Sequence, residues 1–411
     1  MERTIVGIDV GTTKIATLVG ESAADGSLRI VGVGVAPSRG IKRGVVVNVS
    51  EATEAIGASI EKAERSSGYQ IARAFVSLAG THVNAVNSRG VVAAARGERG
   101  ITQDDVDRAI EAARAIAIPL DREVLHVIPR GFMVDGQDGV RDPLGMVGFR
   151  LEVEAHIVTG ATSSVHNLLK CIEGAHIAVD ALVLDSIASG EAVLTDHEKE
   201  MGVALADIGG GTTDIAIFID GSVWHTTILG VGGCHITNDV AVGLRMPAEA
   251  AERIKIDHGH ARHRTIDPVD MFEVDGFDEG GKTRVAKRDV AEIVEARAEE
   301  ILSLIMQEVK RSGYDGLLPA GLVITGGTAQ LRGLRELGRQ VMNLPMRVGA
   351  PHDLVGLVDT ISTPAYATGV GLLKWGVRQG DALSRGQRSQ PGFGQRLGAF
   401  LRSLLPDRGG T

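Results

Sequence analysis

The chain carries one turn motif twice. Residues 9–18 read Asp-Val-Gly-Thr-Thr-Lys-Ile-Ala-Thr-Leu, and residues 207–218 read Asp-Ile-Gly-Gly-Gly-Thr-Thr-Asp-Ile-Ala-Ile-Phe. Each copy follows a short apolar run, Thr4–Ile8 or Val203–Ala206, and precedes an alternating apolar one. That order is the pattern of a β-hairpin with a Gly/Thr-rich turn. Unrelated hairpins share turn chemistry, but chance rarely gives them Asp-x-Gly, Thr-Thr and Ile-Ala in the same order. The repeat therefore predicts two similar α/β domains facing each other. Length agrees, because 411 residues exceed what one core supports.

Between the hairpins, roughly from Thr81 to Thr162, the character changes. The spacing predicts a helix from about Thr102 to Ala117, with Thr102 and Asp105 as a capping pair. Val106, Ile110, Ala113 and Ala117 share its apolar face. Strand-like pieces at Val124–Ile128, Gly131–Val134 and Glu152–Thr159 complete an inserted α+β subdomain. After the second hairpin come helices near Thr237–Gly243 and Ala248–Ile256, then a loop-rich region, His258–Gly281. A long helix runs from about Lys287 to Arg311. Gly321–Gly327 is a strand ending in a Gly-Gly turn, and Pro364–Trp375 closes the core. Residues 377–391 are polar and read as a flexible linker, followed by an amphipathic stretch.

Bulk properties narrow the function. A net charge of −9 argues against a nucleic-acid partner. No run approaches the roughly 20 apolar residues of a spanning helix. Met1-Glu2-Arg3-Thr4 leads straight into a strand, so no signal peptide is expected. Cys171 and Cys234 form neither a metal pattern nor a disulfide framework, which suits the cytoplasm. The tail differs from the body: 376–411 holds six arginines against Asp381 and Asp407, a balance of about +4, which suits an anionic partner.

Glycine turns after strands suit phosphate, because the missing Cβ lets backbone N–H groups approach its oxygens. Gly11, Thr12, Thr13 and Lys14 add hydroxyls and an ammonium. Gly209, Gly210, Gly211, Thr212 and Thr213 form a second cradle, whose flanking carboxylates suit a hydrated Mg²⁺. A third turn, Thr325-Gly326-Gly327-Thr328, can pass close to a flat base. One such turn is as often structural; three in this order point to a nucleotide. By contrast, Asp257, His258, His260 and His263 lie in a loop with no fourth ligand of suitable geometry, which is not a metal-site pattern.

At these residues the sequence resembles the actin-like ATPase superfamily. Asp9–Lys14 is similar to its first phosphate motif, Asp207–Asp214 to its second and Val323–Gly327 to its adenosine motif. The resemblance implies an α/β fold: a two-lobe actin-like ATPase with an inserted α+β subdomain and a C-terminal amphipathic helix. It also implies ATP clamped between the lobes with Mg²⁺ at the β- and γ-phosphates. Lys14 would contact phosphate, Asp207 would hold metal-bound water, and Asp9 would be a second metal contact. Glu252 and Lys255 match the helix whose polar residues hold ribose and base, although a solvated helical face accounts for them too.

Within the superfamily the chain resembles the FtsA family of bacterial cell-division proteins over residues 4–407. The resemblance rests on Asp185–Thr195, Leu205–Ala216, Ala251–Lys255, the position of the insert, and the closing linker and helix. It divides the chain into 1–80, the first lobe; 81–162, the insert; and 163–198, a return to the first lobe. Residues 199–245 are then the second lobe, 246–319 its small partner-binding subdomain, and 320–376 the adenosine motif and closing segment. Residues 377–391 are the linker and 392–408 the membrane helix. The function implied is a filament-forming ATP binder on the cytoplasmic face of the cell membrane at the division site, tethering FtsZ and recruiting other division proteins. The FtsZ C-terminal peptide would dock on the small subdomain, with Arg288, Arg297 and Glu300 in the matching positions; intrahelical ion pairs explain these three residues equally well.

Many superfamily ATPases place Glu or Gln in the loop matching 185–191 to orient the attacking water. Here its middle is Ile187-Ala188-Ser189, and Glu191 is offset by about one helical turn, so weak or no ATPase activity is expected. A soluble phosphotransferase of this fold would need a catalytic carboxylate and a small-molecule pocket, neither of which is evident. A pilus-assembly or competence relative shares the insert and should lack an autonomous membrane helix.

The tail carries that distinction. On a helical projection Phe393, Leu397, Phe400, Leu401, Leu404 and Leu405 fall on one side. Gln395, Arg396, Arg402 and Ser403 lie opposite. The pattern suits a helix lying in an anionic membrane surface. Docking on the core would give the same pattern, but the polar linker and positive charge favour the membrane. Partial insertion at roughly 1–2 kcal/mol per side chain, offset by ordering, makes one helix a weak anchor. Polymerisation would raise avidity.

Overall fold

Both repeats fold as hairpins. The computed structural model describes residues 3–22, 27–94, 100–116, 118–275 and 282–386. Arg3–Val10 pairs antiparallel with Lys14–Ser22, closing on Val10 opposite Ile15. Val203–Ile208 pairs antiparallel with Thr213–Ile219, closing on Ile208 opposite Thr213. The likeness extends well beyond the turns. In the first sheet the hairpin is followed by Leu28–Pro37 on one side and by parallel Arg73–Leu78 and Ala178–Leu184 on the other. In the second sheet Ser222–Leu229, Leu322–Thr325 and Met346–Val348 hold the same places. The first sheet alone carries a further edge strand, Leu354–Gly356. Strands buried on both faces read as apolar runs without alternation, which is why Val203–Ile208 and Thr213–Ile219 are buried throughout.

The insert has its own core. Its sheet is built from Asn84–Ala93, Arg150–Ala161, Arg122–Val134 and Gln137–Val140, in that order. The helix Gln103–Arg114 covers it, with Thr102 and Asp105 forming the expected reciprocal cap. Val106, Ile110 and Ala113 pack on Val127, Phe132, Leu151 and Ile157; Ala117 lies outside the described residues. The two short strands expected at Val124–Ile128 and Gly131–Val134 form one. The pairing slips between Glu154 and Ala155, which leaves Arg130 without an opposite residue and absorbs Pro129 in a bulge.

Two other expectations change. The loop-rich stretch after His258 contains a hairpin strand, Met271–Asp275, paired with Lys282–Ala286. The segment expected as linker from residue 377 begins as helix, because Ala367–Gly386 is continuous. Val377 packs on the main core, and Arg378 pairs with the buried carboxylate of Glu191 at 2.6 Å. The rest of the linker, and the tail with Phe393, Arg396, Leu397, Phe400, Leu401, Arg402, Leu404 and Leu405, lie outside the described residues.

Candidate nucleotide-binding cleft

The two hairpin turns close in the same way. Gly11 N–H donates to the Lys14 carbonyl at 3.1 Å, and Gly209 N–H to the Thr212 carbonyl at 2.9 Å. The turns then meet across the lobes. A Cβ on Gly210 would stand 2.4 Å from Thr13 Cγ2, and one on Gly211 would stand 2.8 Å from Thr12 Oγ1. The third turn comes in from the side. Gly326 has φ +86°, and a Cβ there would lie 2.4 Å from Asp207 Oδ1 and 2.6 Å from the Ile208 carbonyl oxygen. Only glycine fits that position. Thr328 Oγ1 donates to the Gly209 carbonyl at 2.9 Å and ties this turn to the second cradle.

Between the turns lies a cavity of about 770 Å³, counting the solvent at its mouth. It is lined by Asp9 to Lys14, Asp185, Asp207, Gly209, Gly210, Thr212, Asp214, Gly326, Gly327 and Thr368, among others. The size and the mixed lining suit a small-molecule ligand.

The cleft is acidic. Burial raises Asp9, against the pull of Lys14 and a hydrogen bond from Ser77. Burial likewise raises Asp207 to about 6, although Thr368 Oγ1 donates to its Oδ2 at 3.0 Å. Asp185 and Asp214 stand well above the carboxylate range, first through burial and then through the neighbouring aspartates. One Oδ1 on each of Asp185 and Asp214 is buried without a hydrogen-bond partner. Oxygen donors of this kind suit a hard cation. Among the described residues no three such groups gather closely enough to enclose a metal alone. A cation held here would fill its shell with water and ligand oxygens, the usual habit of Mg²⁺.

Lys14 faces this acid wall. Its ammonium donates to the Ala365 carbonyl and lies 3.5 Å from the centre of the Tyr366 ring. Burial lowers its pKa, while Asp9 and Asp207 pull it back up.

The remaining sequence candidates divide. Thr213 is turned away, its hydroxyl donating to the Val231 carbonyl at 2.8 Å. Lys255 reaches the Gly233 carbonyl at 3.2 Å, Thr237 Oγ1 at 2.9 Å and Glu252 at 2.7 Å, on the side where Gly233 meets Thr328. Arg297 joins the long helix Lys287–Ser312 to Asp239 by two bonds, of 2.6 and 3.1 Å, and also pairs with Glu300 at 2.6 Å. Arg288 stands half-buried in the first turn of the same helix. The histidines at and after the end of the helix Ala248–His258 make separate contacts. His258 stacks on Phe272, His260 accepts from Arg262 N–H, and His263 meets Glu295.

Glu191 does not reach the cleft. It is buried against Lys199 at 3.1 Å and Arg378 at 2.6 Å. Burial opposes its charge, yet these cations hold its pKa below the usual value. The acidic group of that helix that does line the cleft is Asp185, at its first position. Sequence reasoning gave no role in the cleft to Asp185, Tyr366 or Thr368, and counted Asp214 only among the carboxylates flanking the second cradle. The two aspartates stand inside motifs already singled out; nothing local marks the other two.

Comparison with known proteins agrees with this geometry. Residues 204–371 match the family model described as cell division protein FtsA, and residues 80–159 match the SHS2 domain inserted in FtsA. The cell division protein FtsA of Pseudomonas aeruginosa is 43% identical over 381 residues, covering 92% of this chain and 91% of the relative. That of Bacillus subtilis is 39% identical over 373 residues, covering 91% and 83%. Among solved structures, the PilM-PilN type IV pilus biogenesis complex aligns with a TM-score of 0.66 at 15% identity, over 91% of this chain and 98% of that one. MreB 5 of Spiroplasma citri bound to AMPPNP aligns with a TM-score of 0.57 at 13% identity, over 93% and 99%. The fold is that of the actin-like ATPases.

Proposed function

Because the chain belongs to the FtsA family of cell-division proteins, we propose that it binds ATP with Mg²⁺ between its lobes, polymerises on the cytoplasmic face of the membrane at the division site, and tethers FtsZ there. The observation that carries the nucleotide reading is the meeting of three glycine turns over four aspartates, three of them buried. In this reading the backbone of Gly11–Lys14 and Gly209–Thr212 cradles the phosphates, and Lys14 leaves Ala365 and Tyr366 to neutralise them. Asp207 and Asp9 hold the hydrated Mg²⁺, with Asp185 and Asp214 at hand. Held there, the cation would supply positive charge to neutralise the phosphates. Gly326, Gly327, Glu252 and Lys255 form the adenosine side. A fold neighbour bound to AMPPNP supports a nucleotide as the ligand.

Hydrolysis is slow in this proposal and ATP acts mainly as a structural ligand, because Glu191 is committed to Lys199 and Arg378. A turnover like that of chaperone ATPases in a phosphate-release assay would refute this part.

The long helix and its neighbours present the surface for the FtsZ C-terminal peptide, with Arg297 held ready by Asp239. The basic tail with its apolar face supplies the membrane contact, weak singly and strong in a filament. The deciding experiment is co-sedimentation with anionic liposomes, with and without ATP, for the full chain and a truncation ending at Pro391. Pelleting of the full chain alone, enhanced by ATP, is expected. If the truncation pellets equally, or neither form pellets, the tail is no anchor.

A further inference from the structure

The insert belongs covalently to the first lobe, yet it grips the second. Its bulged residue, Arg130, stands with its guanidinium 4.2 Å from the centre of the Trp224 ring and 5.5 Å from that of Tyr314. Those two rings meet edge to face at 5.5 Å. Trp224 lies on Ser222–Leu229, the edge strand of the second-lobe sheet, and Tyr314 just follows the long helix. Three more links surround the stack. Ser222 Oγ donates to the Pro129 carbonyl at 2.7 Å, His156 Nε2 meets Thr226 Oγ1 at 2.9 Å, and Asn87 Nδ2 donates to the Tyr314 hydroxyl at 3.4 Å. At the rim Arg141 pairs with Glu200 and Asp220.

Two features separate this joint from ordinary core. A bulge re-aims one side chain out of a regular sheet, and here it aims a cation at an aromatic pair of the other lobe. The joint also buries Arg130 Nε, Trp224 Nε1 and His225 Nε2 without hydrogen-bond partners. Unsatisfied buried donors cost stability, so such a joint opens more readily than a satisfied core would. Meanwhile the phosphate turns of the two lobes already touch, Gly210 on Thr13 and Gly211 on Thr12. The joint and the turn contact are two attachments across the same pair of lobes.

We propose that the insert is a latch: Arg130, seated on Trp224 and Tyr314, holds the second lobe against the first so that the phosphate turns stay together, and its release opens the cleft. Whatever pulls the insert away loosens the cleft, and closure of the cleft in turn seats the insert. The proposal extends the nucleotide reading but stands on a contact independent of it.

The test uses the full chain with Arg130→Ala, the charge-preserving Arg130→Lys, and a Ser222→Ala/Thr226→Val double variant that leaves Arg130 in place. Hydrogen exchange is followed without nucleotide at the turn amides of residues 11–14 and 209–212. Dissociation of a fluorescent N-methylanthraniloyl ATP is timed in parallel. Arg130→Ala is expected to speed turn-amide exchange and nucleotide release by about fivefold or more. Arg130→Lys should have a smaller effect, because an ammonium lacks the flat face that stacks on Trp224. If Arg130→Ala speeds exchange along Ser222–Leu229 while the turns keep the parent rate, the joint opens without the cleft and the latch is refuted. Should Arg130→Ala not fold, the double variant decides on the same criterion. Failure of the parent chain to bind the nucleotide would overturn the nucleotide reading, and the exchange measurement would still judge the latch.

Discussion

Among the described residues, four aspartates share the cleft and Lys14 is the one cation lining it. Burial, with the charge of neighbouring Asp9 behind it, favours the protonated form of Asp207, which rises from 3.8 to about 6. A folded-state pKa above the unfolded one stabilises the chain fully below about pH 4, and that contribution is lost as pH rises through 6. Its size is on the order of 3 kcal/mol. Mg²⁺ competes with those protons for the same oxygens. The gain in melting temperature on adding MgATP should therefore shrink as pH falls from about 7.5 to about 5.5, tracking protonation of Asp207. Asp207→Asn removes the charge at little change in shape. Without nucleotide this variant should melt a few degrees above the parent at neutral pH, while its MgATP gain should be small and nearly flat with pH. Thermal melts of both proteins at the two pH values check this. An equal MgATP gain for the parent at both would separate Asp207 from the cation.

At the scale of elements, the helix Ala367–Gly386 is the piece that most nearly joins site to frame. It opens with Thr368 on Asp207 and crosses the helix Asp185–Val193 so closely that a Cβ on Gly371 would lie 1.7 Å from the Ala188 carbonyl oxygen. Gly371→Ala must push these helices apart, at a cost of about 1–3 kcal/mol. Both helices reach the cleft, so nucleotide affinity should fall together with the urea midpoint; an unchanged midpoint would contradict the close crossing. None of this shows in the sequence, where Gly371 is one small residue in an apolar run. What the sequence does show is local. The hairpin turns, the Thr102–Asp105 cap and the long helix follow from neighbouring residues and stand where the pattern puts them. The helix running past residue 377 was hidden because its hold on the core is remote: Arg378 finds Glu191 far back in the chain. The cleft divides in the same way. Asp9 and Asp207 are marked by the repeat, whereas Thr368 and Tyr366 come to it only through folding. Thr213 looked like a ligand because it follows a glycine turn, but strand geometry points it at Val231.

At the scale of the whole molecule, the insert is fastened at two ends by buried histidines. His126 accepts from Leu184 N–H at 3.1 Å and lies edge-on to Trp375, on the first lobe. His156 holds Thr226 of the second lobe and Asn87 of the insert's own sheet. Burial lowers His126 to about 4. Burial also lowers His156, to about 3, helped by neighbouring His225, Arg130 and His126. Both rings are thus neutral when seated and gain a proton when released. A folded-state pKa below the unfolded value of 6.5 leaves their contribution intact above that pH and erodes it as pH falls toward 4. The erosion is about 1.4 kcal/mol per pH unit for each ring. This runs opposite to the Asp207 contribution, which offsets only one of the two rings where they overlap, so the net slope understates the histidines and the difference between variants is what isolates either. His156→Gln keeps two hydrogen-bonding ends and removes the titration. Between about pH 6.5 and 4.5 the parent chain should lose protection at Ser222–Leu229 and the facing strand Asn84–Ala93 before the two lobe cores do. His156→Gln should lose it more gradually, by roughly one proton's worth of slope, with its offset at neutral pH reporting only the altered packing. Hydrogen exchange across that range measures both proteins on the same strands. Identical acid profiles would mean that His156 stays seated as the insert moves, and would place the acid sensitivity at His126 and the first lobe instead.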